Sequence, residues 1–266
     1  MDQAMDPRRV GRGQLGTARI ALALFLLLPG ILGAAPAQDV RASAEVAATQ
    51  PAVHLRPYRT TYKTTARGLS LTLQRNLAID SEGRCRLTSE GSLLVVGLSE
   101  VSTFHIQDGR VEPQSYIYQG TGLINRRREV HFQPDSPVIR SLYKNEWYAL
   151  PDVGHTLDRM SQQEQMRLNL LRHGEALEEM TFSVADGRKV RDIVLAFDGR
   201  ETLQTPLGKV ETLRYERQRD SEERESLLWV APAWDYLVVR TLHTEDGRTV
   251  EATLVAAEIE GRPVGA

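Results

Sequence analysis

From Tyr58 onward, apolar and polar residues alternate with a period of two along most of the chain. In LSLTLQRNLAI (69–79), Leu69, Leu71 and Leu73 alternate with Ser70, Thr72 and Gln74. That pattern marks a strand with one face in a core and the other in water. YRTTYKTT (58–65) is built of β-formers throughout, and CRLTSEGSLLVVGL, SEVSTFHIQ and RVEPQSYIYQG continue the series. NRRREVHFQ (125–133) alternates imperfectly. A second run of short segments follows the middle of the chain, from EEMTFSVADG to RTVEATLVAAEIEG. Ser81-Glu82-Gly83, Asp108-Gly109, Asp186-Gly187, Asp198-Gly199, Leu207-Gly208 and Asp246-Gly247 punctuate both runs. Asp-Gly suits a two-residue hairpin turn, which needs positive φ at its centre. A meander of this kind with no intervening helices predicts an all-β fold, either a large curled antiparallel sheet or an incomplete β-barrel. No fixed-period repeat is visible, which favours one curled sheet over a solenoid.

One segment departs from the period of two. TLDRMSQQEQMRLNLLR (156–172) is rich in good helix formers. Asp158 and Ser161 are both candidate caps, and Ser161 with Glu164 has the spacing of a capping box. Gly174 is the expected stop, after Arg172 and His173. Leu157, Met160, Met166, Leu170 and Leu171 form only a partial apolar stripe. The expectation is one principal helix packed on the sheet or covering a barrel mouth, or else a connector between two halves of the sheet.

The N-terminus follows a different logic. Arg8, Arg9, Arg12 and Arg19 precede the apolar run IALALFLLLPGIL (20–32), and Ala35-Pro36-Ala37 follows. This is the layout of a secretory signal peptide, residues 1–37, with cleavage before Gln38. A retained anchor is the weaker reading, because a span needs roughly 20 apolar residues and Pro29-Gly30 interrupts this run. Residues 38–56, rich in Ala, Gln, Ser and Thr, read as a flexible leader to a β domain over 57–262. The address implied is the periplasm, with no stable membrane span after cleavage.

Charge and cysteine content narrow the function classes. Lys and Arg number 33 against 35 Asp and Glu, a net charge of −2, which becomes about −4 without the signal peptide. Nucleic-acid binding needs a concentrated basic footprint that this balance does not supply. Cys85 is the one cysteine, so no intramolecular disulfide forms; RCRLTSE places it on a strand, as a buried or half-buried thiol.

No catalytic signature stands out: GxSxG, HExxH, CxxC, a Walker loop and GxGxxG are all missing from the sequence. The six histidines are scattered, and His105 with His131 would supply only two ligands. No metal, cofactor or catalytic residue is expected. Asp152, Asp158 and Asp235 are the carboxylates least easily assigned to turns, and a pair among them is what a hydrolase would need. Arg126-Arg127-Arg128 is the compact basic run, either an exposed strand or a phosphate contact. All three tryptophans lie in NEWYALP (145–151) and LLWVAPAWDYLVVR (227–240). Trp147, Trp234 or Tyr236 at a cavity mouth, with Leu170 and Leu171 lining the cavity, is the candidate ligand site.

Four stretches carry a family resemblance: YRTTYKTTARGLSLTLQRNLAI, DRMSQQEQMRLNLL, ETLQTPLGKVETLRYERQR and LLWVAPAWDYLVVRTLHTEDGRTVEATLVAAE. In this order, over about residues 55–260, the chain resembles DUF3108, a family of bacterial envelope proteins of unknown function. The resemblance implies an envelope location and an all-β architecture, and it brings no catalytic residues. Where that family has a proline in a Leu-Pro-Val-Arg-like strand, this chain has Val238, which permits a regular central strand. Three functions are compatible with the reading. The first is a non-enzymatic periplasmic binding or assembly module for an apolar or lipid-like ligand or an envelope protein segment. The others are a structural module pairing through a strand edge and a carboxylate-dependent hydrolase of envelope polysaccharide.

Overall fold

The computed structural model describes residues 53–66, 69–93, 96–122, 125–134, 136–218 and 224–265. The expected signal peptide and most of the leader lie outside them. Eight strands precede the helix: β1 (Tyr58–Ala66), β2 (Leu69–Ile79), β3 (Cys85–Leu93), β4 (Val96–Gln107), β5 (Arg110–Gly122), β6 (Arg126–His131), β7 (Val138–Tyr143) and β8 (Glu146–Pro151). The helix α1 (Ser161–His173) follows. After it come β9 (Glu179–Asp186), β10 (Lys189–Thr205), β11 (Gly208–Arg217), β12 (Arg224–Ala231), β13 (Leu237–Glu245), β14 (Arg248–Ile259) and a short β15 (Arg262–Pro263) paired with β14.

All ladders between these strands are antiparallel, in the order β8-β7-β6-β5-β4-β3-β2-β1-β14-β13-β12-β11-β10-β9. Each half of the chain is thus a meandering arm, and the arms join where β1 pairs with β14. The two ends of the sheet, β8 and β9, share no ladder but are brought together by side chains. Ser141 Oγ donates to the Gly187 carbonyl at 2.6 Å, and Arg128 lies 3.6 Å from Asp186. The Tyr143 ring packs on Gly187, where an added Cβ would sit 3.2 Å from it. The result is an incomplete antiparallel barrel, curled almost shut, as the alternation predicts.

The turns follow their residues, with three corrections, the first being that Thr205 pairs directly with Gly208 and puts that turn at Pro206-Leu207. Asp108-Gly109 and Asp246-Gly247 form two-residue turns with positive φ at both positions. After Asp186 the turn is one residue further on, at Gly187-Arg188, since Lys189 pairs directly with Asp186. Asp198-Gly199 closes no hairpin: it lies inside the 17-residue β10, where the register with β11 shifts between Phe197 and Gly199. Gly199, at φ 127°, supplies a bulge that bends this long strand around the barrel. Val238 brings a further correction, to a strand. The β12–β13 register shifts at Trp229/Val230, so β13 is bulged at Val239 and not regular there. The irregularity survives without proline, because Leu237, Val238 and Val239 are all buried.

The helix starts later than the sequence pattern suggests. Leu157 is extended and joins the edge of β9, donating its N–H to the Ser183 carbonyl and accepting from Ala185 N–H, both at 2.8 Å. Asp158 then caps the chain's entry into the helix. Its Oδ1 accepts from Met160 N at 2.8 Å and Ser161 N at 3.0 Å, and Ser161 Oγ accepts from Asp158 N at 2.9 Å. This is a reciprocal cap with serine in place of the usual glutamate. Gly174 ends the helix with its N–H on the Leu170 carbonyl.

Candidate functional site

Helix α1 lies inside the curl of the sheet. Ser161, Glu164, Gln165, Met166, Arg167, Leu168 and Leu170 are all buried, so polar and apolar faces alike are enclosed. Such a helix is stable only if its polar groups find partners, and the inner face of the N-terminal arm provides them. Tyr58 OH donates to Glu164 Oε1 at 2.7 Å, and Arg167 Nη1 donates to Glu164 Oε2 at 2.7 Å. The Arg167 guanidinium also stacks over the Tyr58 ring at 4.7 Å, and its Nε donates to the Asp235 carbonyl at 3.1 Å. Gln165 Oε1 accepts from Val111 N at 2.7 Å, tying α1 to β5. Ser102 Oγ donates to Asp158 Oδ2 at 2.8 Å, tying its cap to β4.

Arg75 belongs to this network from the wall side. It stands on β2 in phase with Leu71, Leu73 and Leu77, and its side chain is only 9% exposed. Arg75 Nη1 donates to Gln163 Oε1 on α1, and Nη2 lies 3.9 Å from Glu164 Oε1. Burial works against the charge of Arg75, while Tyr58 and Glu164 favour it, and its pKa ends above the ordinary arginine value. Burial raises Tyr58 and Tyr116 well above the usual tyrosine range, so both are phenols. Tyr116 OH donates to Glu100 Oε1 at 2.6 Å.

Between α1 and the C-terminal arm the packing leaves a cavity of about 100 Å³. The buried Met166, Ile193, Leu195, Val238 and Ala252 line its depth, and the half-buried Leu227, Leu228, Leu242, His243 and Val250 line its outer part. A second cavity of about 30 Å³ adjoins it under α1, lined by Tyr62, Arg75, Ser89, Glu100 and Met160 among others. Arg159, Gln163, Val238, Thr241 and Ala252 line both. The two cavities thus lie side by side under α1, the larger mostly apolar in its lining and the smaller bearing Arg75 and Glu100.

A family model of unknown function, DUF3108, matches residues 58–255. The chain belongs to the DUF3108 family. A search of curated proteins finds no match. Among solved structures, a β-barrel-like protein of the DUF1849 family from Brucella abortus is 11% identical and has a TM-score of 0.49; the alignment covers 78% of this chain and 99% of that one. A candidate lipoprotein from Parabacteroides distasonis is 12% identical at a TM-score of 0.32, over 77% of this chain and 96% of its own. A chain from the Pseudomonas aeruginosa MucA/MucB complex is 9% identical at a TM-score of 0.18, over 79% and 94%.

In this DUF3108 chain the residues singled out by sequence do not gather at one place. Leu170 is fully buried in the core and Leu171 is packed against it. Trp147 is 48% exposed on β8, with Arg140 over its ring at 4.7 Å and His131 beside it at 5.8 Å. Trp234 is buried and borders an outer groove on β10 and β11, while Tyr236 is half-buried next to Gly174. None of the five lines the cavity beside α1, to which the helix contributes Gln162, Gln163 and Met166 instead. The carboxylates are occupied structurally. Asp152 Oδ1 accepts from Gly154 N and Thr156 Oγ1, Asp158 caps α1, and Asp235 pairs with Arg56. His105 sits opposite Glu112 and bonds Gln114, while His131 bonds Glu129. No cluster of three or more His, Cys, Asp or Glu is placed to hold a metal among the described residues. Of the three arginines, Arg127 pairs with Glu129, and Arg128 reaches Asp186 across the seam.

Sequence reasoning missed Arg75, Glu100 and Arg159. For Arg75 the signal was present: it occupies a core-facing position in an otherwise leucine-lined strand phase. Glu100 lies in phase with Leu98, Ser102 and Phe104 on β4, a second charge on an inward face. A charge in an apolar phase is worth more attention than an aromatic in a loop, because burying it without a purpose is costly.

Proposed function

We propose that this chain is a non-enzymatic binding module of the periplasm that holds an alkyl segment of a lipid-like ligand. The carrying observation is the cavity between α1 and β10–β14, apolar in its depth and bordered by half-buried side chains at its outer end. At about 100 Å³ it is comparable to dry engineered cavities of about 150 Å³ that admit a small hydrocarbon. It therefore takes part of one alkyl chain rather than a whole lipid. The periplasmic address rests on the arginine-led apolar run and the Ala35-Pro36-Ala37 site. No helix among the described residues is long and apolar enough to cross a membrane.

The test is binding of a neutral alkyl probe, dodecanol, to the purified chain by calorimetry. Leu228→Trp and Leu242→Trp fill the cavity from β12 and β13 and are expected to abolish binding while circular dichroism stays β-dominated. Undiminished binding in both variants rejects this cavity as the site.

A second reading is favoured by the β7–β8 hairpin. Among the described residues, β8 ends the sheet, and Val138, Trp147 and Val153 are its large exposed apolar side chains. An envelope protein segment adding a strand to β8 would lie along Trp147. Trp147→Glu would then weaken that association without affecting dodecanol.

A further inference from the structure

Among the described residues, Arg75 lines the inner cavity with two donors of one guanidinium edge unengaged by protein. Its Nη1 is engaged by Gln163. Its Nε and Nη2 are buried and hydrogen-bond to no group of the protein. These two N–H groups lie on the same edge of the guanidinium, parallel to each other, the arrangement that receives the two oxygens of a carboxylate or phosphate. Leaving both unpaired inside a protein is costly. The neighbouring carboxylates do not fill the role. Glu164 is taken by Tyr58 and Arg167 and stays 3.9 Å from Arg75 Nη2. Glu100 accepts from Tyr116 OH. Asp158 is spent on the helix cap and Ser102.

The charged residues lining the inner cavity are Arg75, Arg159 and Glu100. This cavity adjoins the apolar one, and Arg159, Gln163, Val238, Thr241 and Ala252 line both. We propose that the ligand is an anionic alkyl amphiphile that enters head first, its carboxylate or phosphate on the Nε/Nη2 edge of Arg75 and its chain along the apolar cavity toward Leu242 and Val250. This rests on the binding function proposed above and specifies its ligand class. The order polar-deep, apolar-out is the reverse of a site that takes a lipid tail first, and it selects for a single chain with a small head. About 30 Å³ is room for a carboxylate or for one or two waters.

The experiment compares ligands of one chain length on the full mature chain by calorimetry: dodecanoate, dodecyl phosphate and dodecanol. One of the two anions is expected to bind at least about tenfold tighter than dodecanol, the scale of one charge-assisted hydrogen bond. Preference for dodecanoate identifies a free fatty acid as the ligand type, and preference for dodecyl phosphate identifies a phospholipid-like head. Arg75→Met, which keeps an unbranched apolar stem but removes the guanidinium, is expected to bring the anion-to-alcohol ratio close to one. Equal affinities for both anions and the alcohol in the wild type overturn the inference while leaving the apolar site intact. A ratio unchanged by Arg75→Met overturns it as well. No binding of any of the three overturns the binding function itself. The wild-type comparison needs no variant, so it decides the matter even if Arg75→Met fails to fold.

Discussion

Strands β1–β5 turn Thr60, Thr64, Arg75, Ser89 and Ser102 toward the buried interior, whereas the buried residues of β9, β10, β12 and β13 are apolar apart from Thr205 at the far end of β10. Helix α1 lies between these walls and matches each in turn. Glu164, Gln165, Arg167 and the Asp158 cap meet partners on β1, β4 and β5 or at Asp235, while Met166 faces the apolar side. A polar contact is satisfied only at one distance and angle, so the N-terminal arm fixes the depth and rotation of the helix. An apolar contact is non-directional and tolerates a gap. The vacant space accordingly lies mainly on the apolar side. The difference assigns two jobs: one arm positions the helix, and the other leaves room beside it.

Breaking the polar wall carries the largest expected effect. Glu164 and Arg167 are 1% and 2% exposed, so Glu164→Gln strands a buried guanidinium. That costs about 3–5 kcal/mol in urea unfolding. Leu213 on β11, also 1% exposed, represents the apolar wall. Leu213→Ala leaves a void and costs about 3 kcal/mol, within the usual range for such truncations. The two arms are further separated by hydrogen exchange of the α1 amides. Glu164→Gln should accelerate it at the native baseline, and Leu213→Ala should change it only in proportion to global stability. Equal local effects would show that the helix is held by burial alone.

The arms also differ in how readable they were. Period-two alternation located the strands of both, and Asp-Gly located the turns at 108 and 246, because strand and turn are local consequences of side-chain phase and φ. Asp198-Gly199 misled because a bulge demands the same conformation as a turn, and only the length of β10 on either side distinguishes them. The burial of α1 was illegible for a different reason. Its stripe of Leu and Met is thin, and a thin stripe ordinarily marks a half-exposed helix. Here the polar residues are buried too, since the partners that permit it come from Tyr58, Ser102 and Val111, between about 50 and 110 positions away in the chain. The candidate site was drawn to the tryptophans for their size. The cavity instead falls where no particular residue type announces it, between helix and wall.

Asp158 allows a gentler test of the polar wall. Burial raises its carboxyl pKa above the ordinary value, and its bonds to Ser161, Ser102 and Met160 offset this only in part. The native state therefore keeps this proton at pH values where the unfolded chain has lost it. Stability contributed by Asp158 falls as pH rises from about 4, the unperturbed carboxyl value, toward the raised one. Asp158→Asn cannot titrate and still caps, so it should flatten this part of the profile. At neutral pH it should shift stability by no more than about 1–2 kcal/mol. A profile in which stability instead rises more steeply for the wild type than for Asp158→Asn over that window would mean that the cap's hydrogen bonds outweigh burial.

The smallest expected effect belongs to Cys85, the point where the polar wall is locally apolar. It is buried on β3 in phase with Leu87, and desolvation pushes its thiol up to about 12. A thiol nucleophile must be the thiolate, so at pH 8 the native protein should not react with a maleimide or disulfide reagent, and labelling should appear only across the urea transition. Cys85→Ala removes one polarizable atom from a dry site and should cost about 1 kcal/mol. Cys85→Ser should cost more than alanine. The nearest acceptor, the Gly83 carbonyl, is 3.8 Å from Sγ, and serine's shorter Cβ–O bond leaves the hydroxyl short of a good partner. Serine milder than alanine would show that water reaches this position, and the polar lining of the N-terminal arm would then extend one strand position further than the burial of Cys85 indicates.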